Sequence, residues 1–332
     1  SLKDITVYGS PQNKTGTLIE NNTSGGIVVR DGVNTVVRTG DTAEVTLEKD
    51  ATGRKILYSR LIFKGATTAE SDGTHIWGGR SAIGNTTTGN DVALASGSYV
   101  NAFGGWTTGA GSDAAADKLG DSIANKIAVT GTANVTGTVY GGYTDAAGGK
   151  ARGNAVTIES AVHDVVGGEG AGEASGNTVD IRANAAAVTG GRSAGAASNN
   201  RVTLGNITAT SVVGGDGAAT AEGNTVSLDG TTVTNDVTGG RGAAANSNVV
   251  SLSNTHVNGA IMGGYGTAQS DGNSVSLQNT AVNGAVTGGE GTATSGNTVN
   301  LKDATVNGAI TGGHGTVQSD GNTINLQNAM VN

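Results

Sequence analysis

Apolar positions in this chain alternate with polar ones over short stretches, and the stretches themselves repeat. Each begins with an asparagine: Asn90, Asn125, Asn154, Asn177, Asn200, Asn224, Asn248, Asn273, Asn297 and Asn322. Two places on stands a β-branched residue, from Val92 and Ile127 through Val226 to Ile324. Four places on stands an aliphatic one, from Leu94 and Val129 through Leu228 to Leu326. Side chains two apart share one face of an extended chain, so each stretch predicts a strand with one buried face.

A second element follows. About fifteen residues past each anchor comes a Gly-Gly pair, from Gly104-Gly105 and Gly141-Gly142 to Gly312-Gly313, with one more upstream at Gly78-Gly79. Two places before these pairs stand Ile76, Ala102, Val139, Val165, Val188, Val212, Val237, Ile261, Val286 and Ile310, which predict another short strand pointing inward. The pair reads as a corner, because glycine takes positive φ without steric cost.

From Asn177 onward the anchors are 23 to 25 residues apart, room for three strands of four or five residues and three turns. That predicts an all-β fold, a right-handed parallel β-helix, with successive coils stacked at ~4.8 Å. About eleven coils would make a rod of roughly 50 Å. Stacking would bring the asparagines together as an amide ladder.

The regular repeats occupy 71–332. Residues 1–70 differ: they hold Pro11, the one proline, nine of the nineteen Lys and Arg, and strand-like runs at Gly26–Arg30, Ala43–Leu47 and Ile56–Phe63. They read as less regular coils capping the rod, since a solenoid needs its open end covered. The chain ends inside a repeat and starts at Ser1 without a signal peptide, so it reads as a processed piece with more coils or another domain beyond. The period stretches to 35 residues between Asn90 and Asn125 and to 29 between Asn125 and Asn154, which places loops at 107–117 and 145–152.

Composition narrows the partners. Glycine is 58 residues with a single proline, against collagen; aromatics are 3%, which suits a narrow interior filled by Val and Leu. The absence of cysteine removes disulfides and thiolate metal sites. A net charge of −8 with no basic run argues against nucleic acid and anionic membranes. No apolar run reaches the ~18 residues of a membrane span, so no direct membrane insertion is expected.

Chemical motifs are sparse. Glycoside hydrolysis needs two carboxylates within ~5–10 Å. Asp271 and Asp320 share a repeat position but sit two coils apart with Ser295 between them, and Glu169 and Asp216 are separated by Arg192. Gly191-Arg192-Ser193-Ala194-Gly195 matches the hydrolase elbow in letters, but not in the strand-turn-helix setting that motif needs. His75, His163, His256 and His314 fall at different repeat positions and read as solvated surface residues. The Gly-Gly-x-Gly runs lack the nine-residue period and the Asp of calcium repeats. No catalytic residue, metal or cofactor is expected.

One position stands out. The residue just after each Gly-Gly pair runs Arg80, Trp106, Tyr143, Glu169, Arg192, Asp216, Arg241, Tyr265, Glu290 and His314, each large or charged in a chain of small residues. Six of ten aromatics flank the pairs: Trp77, Phe103, Trp106, Tyr140, Tyr143 and Tyr265. Recurring once per coil, the position predicts one outward row. It reads in part as a charge ladder, since Glu169, Arg192, Asp216 and Arg241 alternate in sign. The aromatics make it a candidate ligand-binding stripe.

The copies ending in Gly-Gly-Tyr265-Gly and Gly-Gly-Glu290-Gly, each followed by Asn-x-Val-x-Leu, resemble the passenger domains of bacterial autotransporters, the type V secreted surface proteins. The resemblance covers about 75–332. It implies export through a C-terminal β-barrel and display on the outer face of the outer membrane. It further implies adhesion to a host or neighbouring-cell protein or glycan, or self-association, as in virulence adhesins. Filamentous two-partner-secreted adhesins and phage tail proteins share the architecture. The chain is therefore expected to be a non-enzymatic adhesive rod. Two other readings remain: a polysaccharide-degrading β-helix lyase or glycosidase, and a passive spacer, which the near-identical Val282–Ala285 and Val306–Ala309 favour.

Overall fold

A computed structural model describes residues 15–20, 27–30, 34–37, 42–46, 60–64, 69–81, 86–108 and 120–332. The regular structure among them is strand throughout. From Thr87 onward neighbouring strands pair in parallel, each with its equivalent one coil earlier and one coil later. The chain is a parallel β-helix.

The ten asparagine stretches form one ten-stranded sheet in chain order, from Asp91–Leu94 through Thr225–Asp229 to Thr323–Gln327. This is the anchor sheet. The Gly-Gly stretches stack in register as a second wall, from His75–Ser81 through Val237–Asn246 to Ile310–Asp320. Short strands such as Thr232–Val233, His256–Val257 and Ala281–Val282 form a third. The anchor sheet counts ten coils where the repeat predicts about eleven. Nine steps of ~4.8 Å give a stack of ~43 Å.

One coil shows how the interior is filled. Val226 and Leu228 from the anchor sheet, Val233 from the short strand and Val237 from the Gly-Gly wall are each at most 1% exposed. Each burial is favourable by ~1.5–3 kcal/mol, and the side chain stacks on its counterparts above and below. The interior cluster consists of Val, Leu, Ile and Ala, which accounts for the scarcity of rings.

The anchors make the ladder that the repeat predicts, and every polar atom in it is engaged. Asn200 Nδ2 donates to Asn224 Oδ1 at 2.9 Å, Asn224 Nδ2 to Asn248 Oδ1 at 2.9 Å, and Asn248 Nδ2 to Asn273 Oδ1 at 3.0 Å. Each Oδ1 also accepts the backbone N–H of the preceding anchor, as Asn224 Oδ1 does from Asn200 N–H at 3.0 Å. The second Nδ2 proton goes to a backbone carbonyl, Ala197 O in the case of Asn224. The series runs from Asn90 to Asn322 with no coil skipped. Buried amides satisfied in this way fix the register, because a slipped coil would orphan them.

The Gly-Gly pairs are not corners. They lie in mid-strand, and none of them takes positive φ. What excludes a side chain there is close approach. A Cβ on Gly214 would sit 2.3 Å from Gly239 O one coil on, and a Cβ on Gly215 only 2.4 Å from Asn224 Nδ2. The pair is the flat ground against which the ladder packs. Left-handed corners recur instead immediately before each anchor, at Gly89, Ala124, Gly153, Gly176, Asn199, Gly223, Ser247, Gly272, Gly296 and Gly321, and in the later coils just past the anchor strand, at Asn206, Gly230, Asn254, Asn279, Asp303 and Asn328.

The insertion expected at 145–152 is a compact turn. Gly149 N–H donates to Ala146 O at 2.7 Å, and the chain re-enters strand at Lys150–Arg152. The loop expected at 107–117 lies, from residue 109 onward, outside the described residues. Within 1–70, strand Thr42–Thr46 pairs antiparallel with both Thr15–Glu20 and Arg60–Lys64, and Ile27–Arg30 with Asn34–Val37. Phe63 and Lys64 then align in parallel with Thr87 and Thr88 of the rod. Glu70 pairs antiparallel with Trp77, and the rest of the proposed cap apart from Ala69 lies outside the described residues.

Candidate functional site

The residues after the Gly-Gly pairs form one uninterrupted row. Strand register aligns Arg80 with Trp106, Trp106 with Tyr143, Tyr143 with Glu169, Glu169 with Arg192, and Arg192 with Asp216. It continues from Asp216 to Arg241, Tyr265, Glu290 and His314. The side chains of this row are part-exposed or exposed although three residues separate each from the inward residue of the same strand, an even spacing that strict alternation would place on one face, so the Gly-Gly stretch departs from simple strand alternation.

The N-terminal half of the row is occupied with itself. The Arg80 guanidinium lies 3.8 Å from the Trp106 ring centroid and 4.7 Å from that of Trp77, and pairs with Asp72 at 3.6 Å. Phe103 stacks on Trp106 at 4.4 Å and on Tyr140 at 5.0 Å, and Tyr143 meets Tyr140 edge-on at 5.2 Å. Trp77 and Phe103 are buried although they belong to the outer face rather than the interior cluster. His75 joins them edge-on against Trp106, with its Nδ1 buried and unpartnered, so it is not the solvated residue the sequence suggested. An aromatic neighbourhood desolvates the nearby acids. Burial, then the charges of Asp145 and Glu169, push the Tyr143 phenol up to about 12. Burial likewise raises Glu169 above the usual carboxylate range despite its pairing with Arg192.

The charge ladder forms only at its first rung. Arg192 reaches Glu169 at 3.3 Å. Beyond that, the side chains of Asp216, Arg241, Tyr265, Glu290 and His314 make no hydrogen bond, ion pair or ring contact with the described residues. The row therefore has a self-engaged half and an available half. Two shallow hollows meet at Tyr265, one lined by Asp236, Thr238, Arg241, Ala260 and Met262, the other by Glu290 and His314 with Thr267 and Thr292.

Beyond Trp77, Phe103 and Tyr140, sequence reasoning did not single out the residue before each pair. Val166, Thr189, Val213, Thr238, Met262 and Thr287 stack in register beside the main row and form the floor of this face. The same Gly-Gly spacing marks them, one place upstream.

The candidate hydrolytic groups keep the two-coil spacing read from the sequence. Asp271, Ser295 and Asp320 align in that order, which leaves the two carboxylates ~10 Å apart in strand spacing. Asp271 Oδ1 accepts Ser295 N–H at 2.7 Å, and Asp320 Oδ2 accepts from Gln318 at 2.6 Å. Ser193 is buried within strand Ala185–Ser193, its Oγ accepting Gly195 N–H at 3.0 Å, and the next element is another strand. Among the described residues no group of three or more His, Asp or Glu side chains could hold a metal ion, and no helix is long and apolar enough to cross a membrane.

No protein-family model matches the chain, and neither a curated protein nor a solved structure matches it.

Proposed function

We propose that this chain is a binding segment: a rigid rod, displayed at a bacterial cell surface, that presents the row after its Gly-Gly pairs to a glycan or protein on another surface. The observation that carries the reading is the available half of the row. Five consecutive coils present Asp216, Arg241, Tyr265, Glu290 and His314 in register, with none of them consumed by contacts inside the molecule. Side chains held at fixed spacing on a stiff sheet bind with little ordering cost. A ring flanked by charged groups suits a polar, ring-bearing ligand.

The test is binding of the purified fragment to an array of glycans and extracellular-matrix proteins, beside a folded Arg241→Gln/Tyr265→Ala/Glu290→Gln variant. Specific binding by the parent and its loss in the variant is the expected result. Absence of any binding by the parent would favour the spacer, which the near-identical coils at Val282–Ala285 and Val306–Ala309 support.

A further inference from the structure

Tyr265 is 38% exposed, and among the described residues it is the one Phe, Trp or Tyr ring exposed to this degree. Its neighbours along the row are Arg241 on one side and Glu290, then His314, on the other; Asp236 and Met262 complete the hollow beside it. We propose that this stretch binds a neutral linear saccharide, with one pyranose ring stacked on Tyr265 and its neighbours lying in the two hollows. The inference rests on the reading of the row as a recognition surface and names its ligand class.

Three features select that class. A pyranose ring offers a C–H face to an aromatic plane and hydroxyls around its rim, and carboxylate and guanidinium groups hold adjacent hydroxyls with paired hydrogen bonds. Tyr265 provides the plane, and Asp236, Arg241 and Glu290 provide the rim contacts on both sides of it. The charge balance then decides between sugars. Two carboxylates face one guanidinium on a chain of net charge −8, so a uronic or sialic acid residue would be repelled where a neutral hexose is not. Finally, coils spaced at ~4.8 Å repeat at close to the length of one pyranose unit, so a linear chain along the rod meets a new side chain with each sugar.

The experiment is calorimetric titration of the fragment with neutral linear hexose oligomers of two to six units and with oligouronates of the same lengths. It is repeated on Tyr265→Ala, Arg241→Gln and, as a control on the anchor sheet away from the row, Arg201→Ala. The neutral oligomers are expected to bind better than the oligouronates, with affinity rising with length. Tyr265→Ala should weaken binding by at least about tenfold and Arg201→Ala should leave it within about twofold. Tighter binding of oligouronates, or loss on Arg201→Ala but not on Tyr265→Ala, would overturn the inference. If no neutral oligomer binds while the array detects another ligand that depends on the row, this inference falls and the recognition reading stands. If the array detects nothing, both fall.

Discussion

The packing of the Gly-Gly wall against the asparagine ladder makes a double-mutant prediction whose sign depends on one contact. In Gly215→Ala the new Cβ would lie 2.4 Å from Asn224 Nδ2, 2.5 Å from its Cγ and 2.6 Å from its Oδ1, and no other residue is nearer. Asn224 cannot swing aside without breaking bonds to Asn200, Ala197 and Asn248. Overpacking of this kind costs ~1–3 kcal/mol, and the locked amide puts Gly215→Ala near the upper end. Asn224→Ala leaves the Asn200 backbone N–H and one Asn200 Nδ2–H buried without their acceptor. At ~1–3 kcal/mol for each orphaned group it should cost ~2–6 kcal/mol. In the double variant the clash has lost its partner, so its cost should equal that of Asn224→Ala alone, a coupling of about 2–3 kcal/mol. Gly214→Ala is the control: its Cβ would meet the backbone carbonyl of Gly239 at 2.3 Å, which no side-chain deletion removes. Urea unfolding followed by circular dichroism measures the cycle. Hydrogen exchange in the flanking coils localises it, because stacked repeats need not unfold in one step. Costs that add to within ~0.5 kcal/mol, or equal rescue of Gly214→Ala, would refute the packing argument.

Other outcomes follow from the corners and the outer face. Ser247 sits at φ 56° where most coils have glycine, so Ser247→Gly should stabilise the rod by ~0.5–1 kcal/mol, read as a raised urea midpoint. Gly296 has φ 61° and open space where a Cβ would stand, so Gly296→Ala should cost ~1 kcal/mol through backbone strain alone, read as a lowered midpoint in the same assay. Tyr143 should ionise near pH 12 in a spectrophotometric titration, and Tyr143→Phe should remove that step. Burial raises the Glu169 carboxyl in the folded protein, so its contribution to stability is present below the unfolded pKa and is lost as pH rises through the folded one. Arg192→Ala should move that loss to higher pH, which carbon-13 titration of the Glu169 carboxyl would detect.

The repeat was legible because a stacked fold writes each interior position once per coil. The β-branched residue two places after each anchor and the valine or isoleucine two places before each Gly-Gly pair are buried through the body of the rod, as the pattern predicts. The amide ladder followed from the same register. The Gly-Gly pair misled, because a glycine required by close approach looks in sequence like one required by positive φ. The true left-handed corners include Ala124, Asn199 and Ser247, which carry no glycine signal. The row after the pairs was readable as a row, but its division was not: alternating sign suggested a continuous ladder, whereas only Arg192 and Glu169 close an ion pair. Which exposed side chains engage each other depends on rotamers and on the aromatic cluster around Phe103, and neither is encoded in repeat position.

Every functional reading of this chain depends on ten coils holding the residues after the Gly-Gly pairs in one rigid, in-register row. The chain has no cysteine, so spin labels can be placed at will. Labels at Glu169→Cys and Glu290→Cys, five coils apart in register, should give a single narrow distance distribution by pulsed electron paramagnetic resonance. The backbone separation behind it is ~24 Å at ~4.8 Å per coil. A broad distribution, or a separation that does not grow by ~5 Å when the second label moves to His314→Cys, would contradict it.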